Sequence, residues 1–378
     1  MNMLTLSGPT LQPNGEIAPA TITIDDGKIT GVVATYDQHA DIISDGVIAP
    51  GFIDLQFNGG YGYDLTNTPA SIAPVAEQLP ASGVTGFLPT CITSPFESYP
   101  GWLRVVKESA QQVRGAQVLG VHLEGVYFSP HKTGAHNPAL MRPIDVDEIV
   151  DHYAASSIVR IVTLAPELEH ALDAIRALVA RGVIVSAGHS NATYAQAMAG
   201  IAAGIGWGTH LFNAMHDLRH REPGLPTALL LSKIPIGLIV DGVHLHPAVV
   251  QMTYRLKGTA GITLVTDAMA AMGARPGSYN LGGYEVIVDE TSARWPNGTL
   301  AGSILTMDQA VRNMIEQSGC TLAEALIMAG QTPAELLGLH GKGRIAPGCD
   351  ADLVVLNRDL HVQTTLVGGE IVFSSGQQ

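Results

Sequence analysis

Cysteine is scarce in this sequence. Only Cys91, Cys320 and Cys349 occur, an odd count with no pair at CxxC or zinc-ribbon spacing. This argues against a disulfide framework and favours a reducing compartment. Basic runs are absent and the net charge is −14, which argues against nucleic acid as a partner. An anionic small molecule is still allowed, because a few local cations outweigh a distant, screened surface charge. No apolar run reaches spanning length, so no membrane association is expected. The start, MNMLTLSGP, has neither a basic segment nor a long apolar core, so it reads as no signal peptide and the expected location is cytoplasmic. GxGxxG at a first strand turn and GxSxG are both missing, which removes support for a dinucleotide fold and for a serine elbow. Tandem repeats and low-complexity tracts are missing too.

What is present is a 378-residue chain, 46% hydrophobic, with 42 Gly and 22 Pro. Such a chain fits a large α/β barrel with many tight turns and an appendage. Its first 50 residues have β texture. Thr21–Ile24 alternates polar and apolar, Asp26-Gly27 offers a hairpin turn, and Lys28–Val33 returns. Pro50-Gly51 then marks a boundary.

Beyond it, eight apolar runs alternate with helical segments, each run ending in polar residues. Phe52–Leu55 ends at Gln56-Phe57-Asn58, Val84–Leu88 at Pro89-Thr90, and Val118–Leu123 at Glu124-Gly125. Val159–Leu164 ends at Ala165-Pro166-Glu167, Val183–Val185 leads to His189, and Ile205–Thr209 to His210. Ile236–Val240 ends at Asp241-Gly242 and Ile262–Thr266 at Asp267. Eight strand–helix units imply a parallel (β/α)8 TIM barrel, with a doubly wound open sheet as runner-up. Asn191 is a candidate cap for a helix over Ala192–Ala203 that Gly204 ends. Thr321–Glu324 matches a capping box, and Thr332-Pro333 reads as a cap before a first-turn proline. An irregular stretch from Met272 to Gly298, with strand-like Tyr284–Val288, reads as a β excursion after the last barrel strand. From about Ile345 the β texture returns. Residues 1–50 with 345–378 are therefore expected to form one small β-sandwich domain, and 51–344 the barrel.

In a barrel, the carboxyl ends of all strands meet at one mouth. Gln56, Asn58, Glu124, His189, His210 and Asp267 should gather there. Glu124, His189 and His210 offer one oxygen and two nitrogens, a three-donor set that leaves a position for water. The plainer alternatives are loop histidines, a turn glutamate and a helix-capping aspartate. If a metal is held, it would activate water and polarise a carbonyl, with Asp267 carrying the proton. Arg221, in the turn Arg221–Gly224, suits a phosphate clamp or a surface ion pair with Glu222. His244 should reach the same mouth, whereas His246 before Pro247 reads as structural. Asn213-Ala214 could meet polar substrate groups, and His136 could hydrogen-bond a carbonyl or simply fix its loop.

The ordered set Pro50–Asp54, His122–Gly125, Gly134–Pro138, Ala187–Ala192, Thr209–Met215, Arg221–Gly224, Asp241–His244, Leu264–Ala268, Leu300–Ser303 and Gly348–Leu353 resembles the N-acetylglucosamine-6-phosphate deacetylases of the amidohydrolase superfamily. The resemblance spans nearly the whole chain. It implies hydrolysis of the acetamide of a 6-phosphorylated amino sugar by a homodimer holding a divalent metal in each subunit. Zn²⁺ suits the donors best, and Fe²⁺, Co²⁺ or Mn²⁺ could use the same set. Glu124, His189 and His210 would be ligands, Asp267 base and acid, and His136 a carbonyl polariser. Arg221 and His244 would bind phosphate, the arginine in some relatives crossing from the other subunit. Ala135, Asn213, Ala214 and the backbone of Leu300, Ala301 and Gly302 would hold the sugar. Two departures stand out. Gln56-Phe57-Asn58 replaces the His-x-His of many amidohydrolases, so Gln56 and Asn58 line the metal pocket and favour a single metal. Val126 replaces the usual proline after Glu-Gly. The rival readings are the galacto isomer as substrate, another amide such as a cyclic ureide or acylated amino acid, and a non-catalytic scaffold.

Overall fold

A computed structural model describes residues 3–154 and 156–376. Met1 and Asn2, where the segment read as lacking a signal begins, lie outside them. The eight apolar runs become eight parallel strands: β1 (Phe52–Phe57), β2 (Val84–Ile92), β3 (Val121–Glu124), β4 (Val159–Leu164), β5 (Ile184–Ala187), β6 (Ile205–Gly208), β7 (Ile236–Leu238) and β8 (Ile262–Leu264). They pair in chain order. The circle is completed where the Asp267 N–H donates to the Gln56 carbonyl at 2.9 Å and Phe57 bridges Ala268. This is the expected TIM barrel. β2 runs further than its apolar pattern suggested: it continues through Pro89 to Ile92, every residue buried.

Strand alternation sorts the side chains. In β3, His122 and Glu124 share a side, with His122 one step deeper. His122 Nε2 lies 2.7 Å from Thr163 Oγ1, which lies 2.7 Å from Thr209 Oγ1. These buried hydroxyls pair with one another, which keeps a polar layer affordable beneath the mouth. Phe57 and Phe87 meet edge to face at 5.6 Å in the core.

Helices on the outside complete the crossovers. The helix between β5 and β6 is Tyr194–Ala203, capped by Thr193 in a reciprocal box with Gln196. Asn191 is therefore not its cap; the backbone N–H of Asn191 is instead taken by the Glu167 carboxylate. The Thr321–Glu324 box is present. Thr332 falls inside the helix Gln331–Leu336 rather than before it, with Gly330 at the cap position. His246 caps Pro247–Lys257 through Ala248 N–H.

Both chain ends build one eight-stranded sheet. Glu370–Ser374, Val362–Val367, Leu353–Leu356, Val47–Pro50, Leu4–Leu11, Ile17–Asp25 and Lys28–Val33 lie side by side, and Ile42–Ile43 joins Leu4–Leu11. The sheet folds over its own core of Leu6, Ile22, Ile24, Ile29, Ile48, Leu353 and Leu366. The excursion after β8 is a three-stranded antiparallel sheet, Gly277–Leu281, Tyr284–Val288 and Ala293–Arg294. Among the described residues, no helix is long and apolar enough to cross a membrane.

Candidate metal centre and active-site cavity

Three strand-end residues leave their strands in the left-handed backbone region: His189 at φ 48°, His210 at 27° and Asp267 at 48°. None is glycine, so each conformation is strained and held by its surroundings. The turn swings each side chain over the barrel mouth. There they line a cavity of about 320 Å³ with Asn58, Glu124, His136, Asn213, Ala214, His244 and Arg294.

Glu124 is at the centre. Its Oε1 lies 2.9 Å from His210 Nε2 and 3.2 Å from His189 Nε2, and the two nitrogens are 3.1 Å apart. The three residues are only 2–4% exposed. Donors about 2.0 Å from a tetrahedral ion sit roughly 3.3 Å apart, so the spacing and the His₂-carboxylate chemistry both fit a divalent ion. His189 Nδ1 donates to the Lys132 carbonyl at 3.1 Å, which leaves Nε2 with its lone pair towards Glu124. Phe128 stacks on the same ring at 4.2 Å. Burial pushes the Glu124 carboxyl up, but the adjacent His189, His210 and His136 rings outweigh it and hold it well below the usual range.

A second grouping competes. Glu124, His136 and His189 can each bring a donor within 4.8 Å of the others. His136 Nε2 is, however, 4.0 Å from Glu124 Oε2. Its Nδ1 accepts from the Thr93 backbone N–H at 3.2 Å, so the ring proton belongs on Nε2. Burial and then His189 push its pKa well down, leaving a neutral ring. A neutral imidazole with Nε2–H is a hydrogen-bond donor, not a ligand, at that atom. The geometry therefore favours His210 over His136 in the metal set.

Asp267 faces this group. Its Oδ1 accepts from Asn58 Nδ2 at 2.7 Å and Gln56 Nε2 at 3.1 Å. Gln56 Nε2 also donates to Glu124 Oε1 at 3.0 Å. Both amides thus act as donors, and Gln56 alone joins the two carboxylates. Burial, then the Glu124 charge, raises Asp267 to about 6. His244 Nδ1 is 2.7 Å from Asp241 Oδ2, which turns its other nitrogen free of that pair.

Ala135, Leu300 and Gly302 line the cavity, but Ala301 does not. Ala301 is fully buried, and its N–H is spent on the Ala293 carbonyl. Arg221 is also outside the lining: it is exposed, on the loop before Gly224–Leu231. Two contributors went unassigned in the sequence. Glu167, at the end of β4, holds the turn after His189 through Ser190 Oγ at 2.7 Å and Asn191 N–H at 2.6 Å. Its strand-end position was the available signal. Arg294 lies in the irregular excursion, where no periodicity marks it.

The Amidohydrolase family matches residues 47–372. The chain is also 42% identical over 342 residues to the N-acetylglucosamine-6-phosphate deacetylase of Bos taurus, covering 86% of this chain and 83% of that protein. The chain belongs to the amidohydrolase family, among its N-acetylglucosamine-6-phosphate deacetylases. The barrel of this amidohydrolase is similar to the N-acetyl-D-glucosamine-6-phosphate deacetylase of Mycobacterium smegmatis, solved as an aspartate-to-alanine mutant in complex with N-acetyl-D-glucosamine-6-phosphate. The TM-score is 0.92 at 36% identity, over 99% of this chain and 100% of that one. It is likewise 40% identical to an N-acetylgalactosamine-6-phosphate deacetylase of Escherichia coli O157:H7, over 96% of this chain and 97% of that protein. The family is metal-dependent, and this amidohydrolase carries a candidate metal site.

Proposed function

We infer that this amidohydrolase hydrolyses the N-acetyl group of N-acetyl-D-glucosamine 6-phosphate to glucosamine 6-phosphate and acetate. The observation that carries the reading is the convergence of Glu124, His189 and His210 within 3.2 Å of one another, beside Asp267, in a chain with deacetylase relatives over most of its length. Glu124, His189 and His210 would hold the ion, one in each subunit, with Zn²⁺ first among the metals that suit them. When bound, such an ion lowers the pKa of water and polarises an amide carbonyl.

The chain's own groups handle the protons. Asp267 takes one from the attacking water as the C–O bond forms. Oδ1 already carries the Asn58 and Gln56 bonds, so Oδ2 is the free acceptor. His136 donates from Nε2 to the carbonyl oxygen where negative charge develops. Asp267 then returns its proton to the nitrogen, the C–N bond breaks, and the amine and acetate leave. Ala135, Asn213, Ala214, Leu300 and Gly302 border the sugar, and His244 faces its phosphate. Arg221 would serve the phosphate of the neighbouring subunit in a homodimer, which its exposed position allows. Residues 51–344 form the catalytic unit in this reading, with 1–50 and 345–378 as the small β unit, and the enzyme works in the cytoplasm.

Acetate release from N-acetylglucosamine 6-phosphate tests this directly. No release, with metal added, contradicts it. The Escherichia coli relative favours one second reading, the galacto epimer, and assaying both epimers side by side separates the two.

A further inference from the structure

Among the described residues that line the cavity, Arg294 is the one Arg or Lys. It ends the three-stranded excursion, paired across from Leu300. Nε donates to Ser292 Oγ at 3.2 Å and Nη1 to the Gly298 carbonyl at 2.9 Å. Both acceptors are neutral, so they fix the guanidinium without cancelling its charge. No ion pair to it occurs among the described residues, and Nη2 makes no hydrogen bond there.

Neither cavity carboxylate pairs with it: Glu124 lies against His189, His210 and His136 and accepts from Gln56, and Asp267 accepts from Asn58 and Gln56. A half-buried guanidinium, anchored through neutral groups and bordering a cavity, suits an anion brought by a ligand. We propose that Arg294 binds the 6-phosphate of the substrate from within the same chain, as a specificity-determining residue alongside His244. This rests on the phosphorylated-sugar reading above.

The test uses the full-length, metal-loaded protein and the variants Arg294→Gln and Arg294→Lys. Steady-state kinetics on N-acetylglucosamine 6-phosphate and on unphosphorylated N-acetylglucosamine give the preference for the phosphorylated sugar. A charge-assisted contact predicts that Arg294→Gln lowers this preference roughly 10- to 100-fold, mainly through KM, and that Arg294→Lys recovers part of it. Parallel losses on both sugars, as a hydroxyl contact or a structural role would give, overturn the proposal, as does an unchanged preference. Calorimetric titration with inorganic phosphate reads the same contact without turnover. Weaker binding by Arg294→Gln than by the wild type supports the proposal, and equal binding overturns it. If the wild type released acetate from neither sugar, the activity reading would fail alone, and the phosphate titration would still decide Arg294.

Discussion

The backbone N–H of Thr93 donates to Nδ1 of His136 at 3.2 Å, which places the ring proton on Nε2, towards the cavity. This contact just past β2 supports the proposed donor role of His136 rather than a place among the metal ligands. His136→Asn should therefore cut kcat by about 10² to 10³, the usual cost of a lost oxyanion donor, while metal content stays unchanged. Metal analysis beside the kinetics checks it. Loss of the ion in that variant would make His136 a ligand.

Asp267→Asn should lower kcat by about 10² to 10⁴ with KM nearly constant, because the amide keeps the shape and cannot take the proton. In the wild type, the raised pKa of about 6 means that Asp267 is protonated below that pH. Activity should then fall about tenfold per pH unit on the acid side and level off above about 6. A pH profile of kcat/KM with no acid limb in this range would contradict the assignment.

Asp54 gives a stability prediction. It is fully buried, accepting from the Thr266 hydroxyl and from the Gln56 and Thr266 N–H groups. Burial raises it from 3.8 to about 7 despite those bonds. The folded state thus binds the proton more tightly than the unfolded one. The associated stability is complete below pH 3.8 and is lost as pH rises through about 7. Asp54→Asn removes this titration. The melting temperature of the wild type should fall relative to the variant between pH 5 and 8, and a constant difference would refute it.

The proposed homodimer, with Arg221 crossing to the neighbouring site, predicts complementation. Arg221→Ala and Asp267→Asn dimers should each be weakly active. Dissociated and reassociated together, half the dimers would be mixed, each with one site that combines an intact Asp267 and an arginine from across the interface. Recovery to roughly a quarter of wild-type activity is expected. No recovery would contradict a role for Arg221 across the interface.

The sequence displayed the barrel because its strands are short, buried runs punctuated by polar ends, and topology carries those ends to one mouth. The gathering of Glu124, His189, His210 and Asp267 at one cavity was therefore legible in the sequence. The contacts that tune them were not. Thr93 acts through its backbone at the end of a strand longer than its apolar run, and Lys132 offers a carbonyl to His189 across 57 positions of chain. Backbone groups leave no residue-type signature. Thr193 displaced Asn191 as helix cap because the Glu167 carboxylate holds the turn that contains Asn191. Arg294 escaped because a short antiparallel excursion, not a barrel strand, delivers it. Arg221 lies outside this cavity's lining, on an exposed loop, and motif order alone carries no information on which cavity a loop borders.

Glu124, His189 and His210 are proposed to hold one divalent ion that serves amide hydrolysis. Elemental analysis and acetate release, measured together on the wild type and on Glu124→Gln, test it most directly. About one ion per wild-type chain is expected, with acetate and free amine formed in equal amounts from N-acetylglucosamine 6-phosphate, and in Glu124→Gln a loss of the ion with activity down about a hundredfold or more. A Glu124→Gln protein that retained both the ion and its activity would contradict it.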